Sequence, residues 1–256
     1  MKDLDLDSLF EAAELAVEDA LDSTNLGDAV VLMASGRDIK TTADFDLEHV
    51  IISRLSTTNI PIIAEETRAS NRLQPGLNWI IDPLDGTANF NRGFPFAAIS
   101  IALFDGEKPM FGIIHDLFHN QRYIGRCFGA HQSSQKDGKT VRVSEIAEFQ
   151  NAVLSTGFPT NRSYDYQDLN STVARFVQYK KIRMIGSASL SLASVAEGTF
   201  DVHFEEGTMI WDIAAGLAIV QAAGGSFQLF PSGQENQFDV VATNGVLPIS
   251  DVYCKD

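Results

Sequence analysis

Trp79-Ile80-Ile81-Asp82-Pro83-Leu84-Asp85-Gly86-Thr87 decides how this chain is read. An apolar run of strand character ends in two carboxylates three residues apart, and a glycine and a threonine follow. Acids at the carboxyl end of a strand in an α/β sheet face a crevice where ligands bind. Pro83 stiffens the turn and leaves Leu84 able to offer its carbonyl, rather than its side chain, to a metal. Gly86 and Thr87 fall where a helix would begin, so their backbone N–H groups are placed to hold phosphate oxygens. A lone DxxD is more often an Asx turn with a helix cap, so the reading depends on what else the chain supplies.

It supplies three more acid-bearing element ends. Ile62-Ile63-Ala64-Glu65-Glu66 closes another strand in paired acids. Trp211-Asp212-Ile213-Ala214-Ala215-Gly216 sets an aspartate at a helix start, where its ordinary use is as an N-cap. Asp38-Ile39-Lys40-Thr41-Thr42-Ala43-Asp44 carries two aspartates ahead of another helix. Each is weak singly. Together, separated carboxylates, a threonine-bearing anion nest and no histidine cluster describe a magnesium site rather than a zinc site.

The surrounding chain reads as α/β. Leu6, Leu9, Phe10, Ala13 and Val17 recur at helical spacing, and a second helix is expected from about Thr42 to Leu55. Strand-like runs follow at 61–64, 79–81, 97–104 and 110–114, with Asp105-Gly106 as a hairpin signal between the last two. Later strands are expected at 153–155, 181–183, 200–204, 227–230 and 239–243, and helices at 172–179, 187–197 and 212–223. A soft boundary near Gln135-Lys136-Asp137-Gly138 separates residues 1–138, with most of the acids, from 139–256, with Asp212, the two forming one functional unit. A length of 256 residues suits one large α/β unit or two intimate halves.

Composition narrows the class further. With 45% hydrophobic and 21% charged residues, neither disorder nor a membrane protein is expected. Met1-Lys2-Asp3-Leu4-Asp5 is acidic and does not read as a signal peptide, so a cytoplasmic location is expected. Cys127 and Cys254 form no CxxC and read as free thiols. The sequons at Asn161-Arg162-Ser163 and Asn170-Ser171-Thr172 carry no weight without secretion. A net charge of -15 opposes nucleic-acid backbones and would also repel an anionic substrate. Bound divalent cations resolve that tension by inverting the local field.

These residues resemble the inositol monophosphatase family of magnesium-dependent, lithium-sensitive phosphatases, over nearly the full length and with all four acid motifs in order. The resemblance implies a layered αβαβα sandwich of two sheets with helices between and outside, as in the inositol monophosphatase and fructose-1,6-bisphosphatase-like fold. It implies that Glu65, Asp82 and the Leu84 carbonyl bind one Mg2+, that Asp82, Asp85 and Asp212 bind a second, and that Glu65 helps hold a third, looser ion. Thr87 paired with Asp44 would orient the attacking water, with Glu65 part of the same catalytic set. Asp85, the Gly86 and Thr87 amides, Ala188 of the Gly186-Ser187-Ala188 turn, Glu205 and Asp212 would contact the substrate. The resemblance implies a homodimer acting on a small phosphorylated metabolite, while charge and composition make a nucleic-acid partner unexpected and a membrane role absent from expectation.

Two features depart from the family pattern or refine it. Many relatives carry a lysine shortly before the aspartate matching Asp38, and Met33 occupies that place here. Ala88-Asn89-Phe90 is closer to the inositol monophosphatase branch than to the nucleotidase branch. Other substrates for the same chemistry are a 3'(2'),5'-bisphosphate nucleotide, fructose 1,6-bisphosphate and histidinol phosphate. A different class of role is a regulatory binding protein, since some bacterial members contact the transcription machinery. Serine-hydrolase chemistry is not expected, because Gly186-Ser187-Ala188-Ser189 lacks the GxSxG elbow. His49, His115, His119, His131 and His203 read as surface or core residues. Arg183 has an ordinary reading as a surface salt bridge, and the phenylalanines of 90–96 read as core packing rather than a stacking platform.

Overall fold

The computed structural model describes residues 5–35, 38–67, 72–129, 132–158 and 166–253. His131, Cys254, the sequon at 161–163 and the side chains of Asp38 and Ser171 lie outside the described residues.

Trp79 and Ile81 enter one hydrophobic cluster and Ile80 another, and all three are buried. Side chains alternate across a strand, so this strand needs cover on both faces. On one face lie α1 (Leu6–Ser23) and α2 (Thr42–Leu55), joined through the hairpin β1 (Val31–Ser35) and β2 (Asp38–Thr41). The sheet beneath them runs in spatial order β3 (Ile62–Ala64), β4 (Leu77–Asp85), β5 (Ala98–Asp105), β6 (Lys108–Asp116), β7 (Gln121–Arg126), β8 (Ser133–Lys136) and β9 (Lys139–Thr140). β3 is parallel to β4, and the other neighbours are antiparallel. A short α3 (Thr87–Arg92) leaves the end of β4.

The second sheet has the order β11 (Lys181–Arg183), β10 (Val153–Ser155), β12 (Val202–Met209), β14 (Gln237–Thr243) and β13 (Ser226–Pro231). Between the sheets lie α5 (Ala188–Ala196) and α6 (Ile210–Ala222), whose Leu192, Ile213 and Leu217 share a cluster with Ile80, Phe104 and Val240. Outside the second sheet, α4 (Tyr166–Phe176) and α7 (Ile249–Val252) pack Phe176 and Val252 onto Leu154, Val202 and Val241. The layers run helix, sheet, helix, sheet, helix, which is the α/β sandwich implied by the resemblance. No helix among the described residues is long and apolar enough to cross a membrane.

Several boundaries differ from the sequence reading. β4 does not stop at Ile81 but continues through the acids to Asp85. The helix expected at 172–179 spans Tyr166–Phe176, and the strand expected at 200–204 is Val202–Met209. β7, β8 and β9 were not foreseen, because Gln121–Arg126 and Ser133–Thr140 are polar and half-exposed and show no apolar run. Asp137 and Gly138 form the turn of the β8–β9 hairpin, both with positive φ. Phe90 and Phe96 do pack against the core, but Phe94 is 49% exposed with its ring 5.2 Å from that of Phe96. Cys127 is buried and its thiol donates to the Ala218 carbonyl at 3.2 Å, and burial pushes its pKa up to about 12.

Gly112 and Gly125 are cross-strand partners on β6 and β7, and α6 lies directly on them. A Cβ at Gly112 would stand 2.4 Å from the Ala215 carbonyl oxygen, and one at Gly125 would stand 2.4 Å from Ile219 Cα. Both obstacles are backbone, so neither can swing aside. Gly112→Ala is therefore expected to destabilise the fold by about 1–3 kcal/mol through overpacking. A lower urea midpoint at unchanged m-value checks it. The same close approach fixes the depth at which α6 carries Asp212.

Candidate metal centre

Asp82 and Asp85 are three residues apart, and a regular strand would point them to opposite faces. The β4–β5 register prevents this: Asp82 pairs with Ser100 and Asp85 with Ala98, so three steps on β4 oppose two on β5. One extra residue in β4 makes a bulge and reverses the alternation. Leu84 accordingly joins Trp79 and Ile81 in the cluster beneath α1 and α2, while Asp85 turns to the middle layer and meets α5. Pro83 sits within the bulge, where a missing N–H costs no ladder bond.

The Asx turn that a lone DxxD predicts is also present, since Leu84 N donates to Asp82 Oδ1 at 3.0 Å. Gly86 follows with φ 86°, and a Cβ there would stand 2.6 Å from the Phe96 carbonyl oxygen, so only glycine fits.

Parallel pairing of Ala64 with Ile81 sets the next residue, Glu65, beside Asp82. Asp212 comes from the middle layer. It is the third residue of α6 rather than its N-cap, and its Oδ2 accepts from Met209 N and Thr208 Oγ1, each at 3.1 Å. Glu65, Asp82 and Asp212 bring carboxylate oxygens within 4.8 Å of one another. Asp85 stands outside that triad. Its Oδ2 accepts from Ser187 Oγ, from Ser189 Oγ and, at 2.9 Å, from Ser189 N at the start of α5.

Asp44 lies inside α2, not ahead of it, and is buried. Its Oδ2 accepts from Thr41 N at 2.7 Å and Thr41 Oγ1 at 2.6 Å, and its Oδ1 faces Thr87 Oγ1 at 2.8 Å. Thr87 Oγ1 is also 2.9 Å from the Leu84 carbonyl oxygen. Thr87, Asp44 and Leu84 therefore form one hydrogen-bonded unit at the edge of the triad.

The other expected substrate contacts are more dispersed. Ala188 opens α5 after the Ser187 N-cap. Glu205 is on β12 with its carboxylate over Gly157, where a Cβ would come within 2.6 Å of both oxygens. Glu205 Oε2 is 3.7 Å from Nε2 of His203. His203 is buried, its Nδ1 is 3.1 Å from Ser155 Oγ, and burial lowers its pKa to about 3, so it is a neutral packing residue. Arg183 reaches no acid among the described residues; it donates to the Ile182 carbonyl at 2.9 Å.

Sequence reasoning missed Glu48 and Lys40. Glu48 is one turn beyond Asp44 and buried, and its two oxygens accept from Glu66 N at 2.9 Å and Thr67 N at 2.8 Å. That grip holds the segment that carries Glu65. The signal was available: Glu48 falls on the apolar stripe of Leu47, Ile51 and Leu55, where an unpaired charge is costly. Lys40 is directly opposite Met33 in the β1–β2 register, so a lysine stands across the hairpin from the place that the family pattern fills with one.

Crowding the acids perturbs them. Burial, and then the charges of Asp212 and Glu66, hold Glu65 well above the ordinary carboxylate range. Asp82 is raised by burial, then by Glu65, Asp85 and Asp212. Burial, followed by the Asp85 charge, lifts Asp212 from 3.8 to about 7. Asp85 is raised by burial, against which the bonds from Ser187 and Ser189 act. Convergent all-oxygen donors that raise one another's pKa fit a hard divalent cation of the magnesium type.

A family model described as the inositol monophosphatase family matches residues 5–250. The chain is 35% identical over 214 residues to an inositol monophosphatase of Mesembryanthemum crystallinum, covering 80% of this chain and 77% of the relative. It is 36% identical over 201 residues to Nus factor SuhB of Xylella fastidiosa, covering 76% and 70% respectively. Among solved structures, an inositol monophosphatase from Anabaena (Nostoc) superposes with TM-score 0.72 at 28% identity, covering 94% of this chain and 90% of that one.

Proposed function

Because this chain belongs to the inositol monophosphatase family, we propose that it is a magnesium-dependent phosphatase that releases phosphate from a small monoester, inositol monophosphate foremost. The convergence of Glu65, Asp82 and Asp212 beside the Thr87–Asp44 pair carries the reading. In it, Glu65, Asp82 and the Leu84 carbonyl would hold one ion, and Asp82, Asp85 and Asp212 would hold a second. When bound, magnesium supplies positive charge for the phosphoryl and leaving-group oxygens and acidifies water.

The chain's own residues do the positioning. Thr41 occupies Asp44 Oδ2 with two donors, which leaves Oδ1 for the single Thr87 proton. Thr87 Oγ1 then keeps its lone pairs and accepts a hydrogen bond from the attacking water, which turns the water's own lone pair toward phosphorus. The Gly86 and Thr87 amides hold phosphate oxygens. Ser187 and Ser189 fix one Asp85 oxygen, leaving the other for its ion. Ala188, Glu205 and Asp212 orient the alcohol portion of the ester. No covalent phosphoenzyme is required, and the reading extends to lithium sensitivity and a homodimer.

A phosphate-release screen over inositol monophosphates, a 3'-phosphoadenosine nucleotide, fructose 1,6-bisphosphate and histidinol phosphate tests this. Release is expected to require magnesium, to be greatest with inositol monophosphate, to fall with lithium and to vanish in Glu65→Gln. Undiminished turnover in a chelator would end the reading. The similarity to Nus factor SuhB supports a second reading, a factor role alongside catalysis. Retention of RNA polymerase on the immobilised chain tests that role separately.

A further inference from the structure

Lys40 brings a cation to the carboxylate cluster. Its Nζ bonds Glu66 Oε2 and stands 3.9 Å from Glu65 Oε1. The residue is only 5% exposed, and a lysine is buried to that degree only with an ionic partner. Glu66 is that partner, with its own side chain 1% exposed, so the approach to Glu65 is additional to what neutralises the charge.

Both ends of the pair are anchored. Thr41, next in the chain, is locked to Asp44, and the Glu66 amide is held by Glu48. β2 thus delivers Lys40 rigidly, since its last residue, Thr41, is tied to Asp44 of α2. Met33, opposite Lys40 in the hairpin, is 48% exposed and brings no charge.

We propose that the Lys40 ammonium is a built-in counter-cation of the metal centre, fixed on one side of Glu65 so that no divalent ion is held there. This rests on the metal reading given above. A divalent ion bound to that side of Glu65 would share a half-buried space with a fixed positive charge, where repulsion is only weakly screened. Lys40 is a positioning residue in this role: it caps the number of ions and leaves Glu65 directed toward Asp82 and Asp212.

Titration with Mn2+, with the free ion counted by electron paramagnetic resonance, tests the proposal without turnover. Lys40→Gln is expected to bind one more Mn2+ per chain than the native protein, and Lys40→Arg is expected to match the native count. Should Lys40→Gln fail to fold because Glu66 is left buried and unpaired, Lys40→Gln/Glu66→Gln removes both charges and is expected to show the same extra ion. Equal counts in the native and neutralised chains overturn the proposal, and so does an extra ion in Lys40→Arg. A native chain that binds no Mn2+ overturns the metal centre itself, a result distinct from either.

Discussion

Asp82→Asn is expected to lower phosphate release about a thousandfold while making the metal-free protein more stable. Both effects follow from one buried carboxylate. In the proposed mechanism Asp82 would serve as a ligand to both ions, so its loss would remove several kcal/mol of charge stabilisation from the reaction. About 4 kcal/mol corresponds to a factor of roughly a thousand. The stability gain arises because Asp82 is desolvated and faces Glu65, Asp85 and Asp212, all of which oppose its ionisation.

Asparagine is the informative replacement, because its side-chain oxygen still accepts the Leu84 N–H that forms the Asx turn. The bulge is therefore kept and only the charge is lost. At neutral pH a rise in Tm of about 2–4 °C is expected for each kcal/mol of relieved repulsion in a chain of this size. The magnesium-induced rise seen in the native protein should shrink at the same time. A variant that loses both activity and stability would mark Asp82 as structural and remove its assigned role.

What the sequence revealed and what it concealed follow from the range of the interactions. Apolar runs such as Ile62–Ala64 and Trp79–Ile81 announce strands, because burial on both faces leaves no polar residue to break the run. The helix from about Thr42 to Leu55 was legible through its apolar stripe, and the structure bounds it at Thr42–Leu55 with Thr41 as its N-cap. The bulge was not, since pairing of Asp82 with Ser100 and Asp85 with Ala98 is decided by a strand still to come in the chain. Without it, Asp82 and Asp85, three residues apart, would face opposite sides of the sheet. Asp212 was found but misplaced by three helical positions, because β12 runs to Met209 and hands over directly to α6. Glu48 lies outside all four acid motifs and so drew no reading, although its position on the buried stripe marked it as partnered. Spacing within a motif identified the ligand types, and long-range registers determined which of them meet.

The widest condition-dependent effect is expected in the stability of the metal-free protein, which should decline as pH rises from about 4 toward 8. Most carboxylates act the other way, because salt bridges depress their folded pKa. Asp212 is raised, from 3.8 to about 7. Between those values the unfolded chain has released its proton and the folded chain has kept it. The folded state binds more protons, so stability is greatest at the acidic end of this window and is lost as pH climbs through about 7. Glu65 and Asp82, raised in the same direction, add to the slope. Magnesium reverses the balance: it needs ionised ligands, must displace these protons at pH 6, and meets free carboxylates at pH 8. The Tm difference between magnesium-loaded and metal-free protein should be wider at pH 8 than at pH 6 by on the order of 5 °C. Asp212→Asn isolates the contribution, since other titrating groups are common to both proteins, and it should flatten the metal-free slope and narrow the magnesium difference at pH 8. A magnesium-induced shift of equal size at both pH values would mean that protons and metal do not compete for these carboxylates.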